Sequence, residues 1–127
     1  RNDSWWNPEV RSVLESHSAA LCLADRGSRI VTPLWRTADW TYVRLHFGRA
    51  RPPSCYGVRA LTTWTERLVD VFGSDVDGYV YFNNDAHGCA VRDADALIRI
   101  ATRSGLTVSR NRRADASSPE QLGTKPV

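Results

Sequence analysis

Apolar and polar positions along the chain fall into blocks of two different periods. Val10, Val13 and Leu14 recur at helical spacing, with His17 on the same face, which predicts an amphipathic helix running to about residue 18. Asn7-Pro8-Glu9 has the chemistry of its start: Asn as the cap, Pro at the first helical position, and a carboxylate in the positive first turn. Residues 19–25 form a continuous apolar run ended by Asp25, as in a strand buried on both faces. Residues 26–39, with Gly27 and Pro33, lack apolar periodicity and read as a loop. Residues 40–47, WTYVRLHF, are dominated by aromatic and β-branched side chains and predict a second strand.

After a Pro- and Gly-rich loop over 49–57, Leu61, Trp64, Leu68, Val71 and Phe72 share one face of a helix starting near residue 58, which Gly73 stops. A third strand is expected over 78–83. A last helix then starts at about residue 88, with Ala90, Ala94, Leu97, Ile98 and Ala101 on its buried side. Strands alternating with helices imply an α/β fold with a parallel sheet, either an open doubly wound sheet or an arc of a barrel. From Thr107 the chain is too poor in apolar residues to fold alone, and residues 105–127 are expected to be a disordered basic tail.

The 127 residues suit one domain, and 42% hydrophobic with 24% charged residues is ordinary for a globular protein. No apolar stretch reaches the roughly 18 to 20 residues of a membrane span, and the start lacks a signal-peptide core, so the sequence predicts a cytoplasmic protein without a membrane partner. Methionine is absent and the chain begins with Arg1, which reads as a piece of something longer. Of the net charge of +3, two units come from the tail, where Arg110, Arg112, Arg113 and Lys125 face Asp115 and Glu120. The remainder is nearly neutral, so basicity supports a polyanion partner only weakly. Cys22, Cys55 and Cys89 are odd in number and lack CxxC spacing, which predicts free thiols rather than a disulfide framework or a zinc ribbon.

Side chains alternate along a strand, so Tyr42, Arg44 and His46 point one way while Val43 and Leu45 meet the helices. Tyr79, Tyr81 and Asn83 likewise share one parity of the third strand. Sites of β/α proteins gather at the carboxyl ends of strands, where Asp25, His46, Asn83, Asn84 and Asp85 all fall. Arg44 should have an acidic or anionic partner, because burying it alone would be costly. Each residue also has a plainer reading: Asp25 as a strand-end cap, Asn84 or Asp85 as a helix cap, Arg44 as half of a structural ion pair. His46, at a strand end beside Arg44, is the one for which function outweighs that reading. His17 and His87 read as surface or cap residues. Asp25, His46, Asp85 and His87 include no recognised ligand spacing, so no metal is expected, nor any other cofactor. The NNDAHG segment runs into a helix start, a common place for phosphate, although Asp85 works against a tight anion site.

The ordered segments RNDSWW, LCLAD, TADWTYVRLHFGRA, CYG and DGYVYFNNDAHGCAVRDA, covering residues 1–104, resemble the C-terminal half of the YecE-like family, also called domain of unknown function seventy-two. The resemblance implies a (β/α) barrel of about 250 residues, of which this chain holds the last three βα units. It carries the family's polar set onto Arg1, Ser4, Trp5, Asp25, Arg44, His46, Asn83 and Asn84. The family's common His-Gly pair is here His46-Phe47-Gly48.

Three functional readings follow. The first is a barrel enzyme acting on an anionic or phosphorylated small molecule, with His46 and Asp25 catalytic and Arg1, Arg44, Asn83 and Asn84 binding substrate. The second is a nucleic-acid-binding module using Arg44, Arg49, Arg51 and the aromatics. The third is an inactive fragment that associates through exposed sheet edges.

Overall fold

The computed structural model describes residues 2–109. Arg1 and the tail from residue 110 lie outside the described residues, as does most of the segment expected to be a disordered tail.

Helix α1, Pro8–Ser16, starts as its sequence predicts: the Asn7 side chain accepts a hydrogen bond from the Val10 amide at 2.9 Å. It stops two residues earlier than expected, where Ser18 takes a positive φ of 48°. No residue of α1 is buried, and Val13 is exposed. Neighbouring aromatics tie this end down, with Trp6 edge-on to Trp35 and the Arg11 guanidinium over the Trp35 ring.

Three strands, β1 (Cys22–Asp25), β2 (Trp40–Leu45) and β3 (Asp77–Phe82), form one parallel sheet in that order. Leu23 sits beside Val43 and Asp25 beside Leu45, while Arg44 lies between Ala24 and Tyr81. β1 is shorter than expected because the Thr37 hydroxyl links the Ala19 carbonyl to the Leu21 amide instead of a strand partner doing so. Nor is β1 buried on both faces: Leu23 and Asp25 are buried, while Cys22 and Ala24 are only partly covered. Its outer edge is occupied near Ala24, whose amide donates to Thr32 Oγ1 and whose carbonyl accepts from Val31. Unpaired edge groups invite other strands, so this fold-back leaves β3 with the open edge among the described residues.

The β2-to-β3 crossover is helix α2, Gly57–Phe72, which buries Leu61, Trp64, Thr65 and Phe72. Helix α3, Cys89–Arg103, follows β3 after a short turn in which His87 and Gly88 both have positive φ. The core combines Leu23, Val43 and Leu45 of the sheet with Tyr56, Leu61, Trp64, Phe72 and Ile100. On α3 the buried residues are Cys89, Asp93 and Ile100, one position away from the expected alanine face. Two polar attachments cause that rotation. Asp93 accepts hydrogen bonds from inside the fold, and Cys89 is bonded covalently to Cys55. The expectation of three free thiols is therefore corrected: only Cys22 is free, and the Cys55–Cys89 pair spans 34 positions, a separation that no short motif announces.

Candidate functional site

The two faces of the sheet carry different chemistry. Thr41, Val43 and Leu45 of β2 point into the helices and are buried. Trp40, Tyr42 and Arg44 point to the open face, where Tyr42 meets Tyr81 at a ring separation of 5.2 Å and Trp40 meets Tyr79 at 6.0 Å. Tyr79 and Tyr81 are about half exposed, at 49% and 52%.

At the carboxyl end of this open face, Arg44 donates from Nε and from a terminal nitrogen to Asn83 Oδ1, at 3.1 and 3.0 Å. The backbone holds the pair in register, since Asn83 donates its amide to the Leu45 carbonyl at 2.8 Å. The expected partner of Arg44 is thus a neutral amide, and the ion pairs among the described residues, Arg11 with Glu15 and Arg99 with Asp95, do not involve it. Arg44 keeps its full positive charge, with the rest of its fork and the Asn83 amide nitrogen available to a ligand. His46 follows on the same parity, its amide bonded to the Asp25 carbonyl at 3.1 Å. Cys22, opposite Tyr42, is half-buried; burial raises its thiol pKa and the nearby Arg44 charge only partly offsets this. It stays a protonated thiol at neutral pH and is a poor nucleophile.

The other expected site residues lie elsewhere. Asp25 shares the parity of Leu23 and faces the helices, with 0% exposure. One carboxylate oxygen accepts from the Tyr56 hydroxyl at 2.8 Å and the other from Trp64 Nε1 at 3.0 Å. Its place is that of a buried anchor between β1 and α2, on the opposite face from Arg44. Tyr56 in turn has its pKa pushed well above the ordinary phenol range, first by burial and then by its bond to Asp25.

Asn84 also turns inward, donating to the Ser54 carbonyl at 2.8 Å and to Asp93 at 2.7 Å, while Asp93 accepts from the Tyr56 amide at 2.8 Å. Ser4 and Trp5 stand exposed in a short 3-10 turn, Asp3–Trp5, and Asp85 and His87 are exposed before α3. The structure thus brings together Arg44 and Asn83, with His46 following just beyond the end of β2, and turns Asp25 and Asn84 to the other side. Sequence reasoning missed Asp93 and Tyr56, and it placed Trp64 on the core face of α2 without its bond to Asp25. A stripe of Cys89, Asp93, Leu97 and Ile100 at helical spacing was the available signal for Asp93. Among the described residues no cluster of His, Cys, Asp or Glu could hold a metal ion, and no helix is long and apolar enough to cross a membrane.

Residues 1–119 match the family described as Protein of unknown function DUF72. The chain belongs to the DUF72 family. YecE-like is another name for this family, so the membership implied by YVRLH and YFNND holds. No curated protein matches the chain. Among solved structures, it is similar to a DUF72 family protein from Thermotoga maritima, with a TM-score of 0.67 and 23% identity over 80% of this chain and 44% of that one. It is also similar to a DUF72 family protein from Enterococcus faecalis, with a TM-score of 0.62 and 18% identity over 86% of this chain and 46% of that one. At these identities the likeness is one of fold, and the chain spans less than half the length of either structure.

Proposed function

We propose that the chain is an arc of a β/α barrel and that the open face of its sheet, at the carboxyl ends of β2 and β3, binds the anionic group of a small molecule for acid/base chemistry. The observation that carries this reading is the Arg44–Asn83 pair: a guanidinium oriented by two hydrogen bonds to a neutral group, with its charge uncompensated by any described carboxylate. Preorganised donors of this kind favour a phosphate or carboxylate without first having to leave another anion. His46, one step further along the same face, is the acid/base in this reading. The parallel strand order, the packing of α2 and α3 on one face of the sheet and the greater length of the related structures support the barrel.

Titration of the chain with a simple phosphate monoester, followed by tryptophan fluorescence, tests the binding. Saturation is expected, with affinity falling about tenfold or more in Arg44→Gln, as the loss of a hydrogen bond to a charged group implies. Equal affinity in that variant, or no saturation, would remove the proposal. For any turnover found, His46→Ala should abolish one limb of the pH–rate profile; unchanged turnover would exclude His46 as the acid/base.

The exposed aromatic pairs favour a second reading, a single strand of nucleic acid lying across the sheet with bases stacked on Tyr79 and Tyr81. It requires affinity that falls steeply with salt. The single arginine on that face makes it the weaker of the two.

A further inference from the structure

On the helix side of the sheet a cleft of about 410 Å³ opens between the loops that follow β1 and β2 and the outer surface of α2. Three arginines line it: Arg49 from the loop after β2, and Arg59 and Arg67 from α2. Arg59, Thr63 and Arg67 are spaced four residues apart, so they form one stripe along the helix, with its ends about 12 Å apart at the helical rise per residue. None of the three arginines takes part in an ion pair among the described residues. The acid at the floor of the cleft, Asp25, is fully buried, and both its oxygens are committed to Tyr56 and Trp64. Its single negative charge works against an anion from the floor, and the three guanidinium groups at the mouth outnumber it.

The surroundings also say what does not bind. Trp64 is 2% exposed, and the Arg67 guanidinium lies over its ring at 5.7 Å from the centroid, so the walls of the cleft offer no aromatic face for a base or sugar to stack on, the exposed Phe47 ring lying outside them near Arg49. Ser28, whose hydroxyl oxygen already accepts from the Arg49 amide at 3.2 Å, still has its proton to donate into the cleft. The site thus presents guanidinium forks in a row with a hydroxyl donor, and it reads charge along a line rather than an organic body.

We propose that this cleft is a second anion site, distinct from the Arg44 face, and that it takes an extended phosphate chain, a linear polyphosphate or the polyphosphate group of a small molecule. A single phosphate can meet only one or two of the forks, whereas several linked phosphates can meet all three.

The test is isothermal titration of the full chain with sodium tripolyphosphate and, separately, with orthophosphate, at about 0.1 M salt, where unspecific surface attraction is largely screened. Tripolyphosphate should bind at least tenfold more tightly than orthophosphate. Arg59→Gln and Arg67→Gln should each weaken it about tenfold and together abolish it, with circular dichroism confirming the fold. Arg59→Lys, which keeps the charge but not the fork, should fall between. The same titrations in an Arg44→Gln background, where the sheet-face site is lost, should still show the tripolyphosphate binding of the cleft, and Arg92→Gln, an exposed arginine of α3 outside the cleft, should leave that binding unchanged. Absence of tripolyphosphate binding by the folded chain would overturn the proposal, as would its complete loss in Arg44→Gln or an equal loss in Arg92→Gln. Tighter binding of a short single-stranded oligonucleotide of matched charge, lost in the same α2 variants, would overturn it in favour of a nucleic-acid surface.

Discussion

The two faces of one three-stranded sheet use polar groups in opposite ways. On the helix side, the Asp25 carboxylate oxygens hold a phenol and an indole, and Asp93 holds a backbone amide and Asn84, all in buried positions. On the open side, Arg44 and Asn83 hold each other and little else, among half-exposed rings. Buried polar groups stabilise a fold only when each finds its partner, because losing one strands the other. Polar groups left partly unsatisfied at a strand end stabilise little and remain available to a ligand. Among the described residues the contrast sets a fully buried acid, held by two neutral donors, against a cation left open at a strand end, and the proposed anion site rests on the second.

The sharpest way to break this comparison is Asp25→Ala, which strands the Tyr56 hydroxyl and the Trp64 indole N–H inside the core. A urea midpoint lowered by the equivalent of roughly 2–5 kcal/mol is expected; a change as small as that of a surface variant would erase the difference between the faces. Next in size is the covalent tie. Removing it by Cys55→Ser should cost about 3–4 kcal/mol for a crosslink spanning 34 positions, measured by the same titration against the unaltered chain.

A smaller effect sharpens the picture on the buried side. Tyr56 holds its proton more tightly folded than unfolded, so its stabilising contribution is full below about pH 10 and declines as pH rises above it, by about 1.4 kcal/mol per pH unit. Stability measured from pH 9 to 11 should lose that extra slope in Tyr56→Phe; identical slopes would mean that burial and the bond to Asp25 do not hold the phenol's proton. The smallest stability effect is expected on the open face, where Arg44→Gln should shift unfolding by less than about 0.5 kcal/mol while weakening anion binding.

Much of this was legible in the sequence, for physical reasons that differ along the chain. α2 could be read because Leu61, Trp64 and Phe72 repeat at helical spacing on an otherwise polar segment. The open face could be read because alternation along β2 and β3 forces Arg44 and Asn83 to one side. That same alternation also placed Asp25 with Leu23, yet an acid at a strand end suggests chemistry more readily than anchoring. The face of α3 was misjudged by one residue because apolar periodicity counts alanines and passes over Asp93, a buried carboxylate whose partners come from residues 56 and 84. The Cys55–Cys89 bond and the arginine cleft were hidden for one shared reason: each joins positions brought close only by the crossover.

That bond, between the loop after β2 and the first residue of α3, makes a closed covalent ring out of everything from Cys55 to Cys89, including all of α2 and β3. A protease cutting the exposed turn at Gly73, Ser74 and Asp75 would open the backbone without releasing a piece. The nicked protein should migrate as one species on a denaturing gel until a reductant is added, and only then as two.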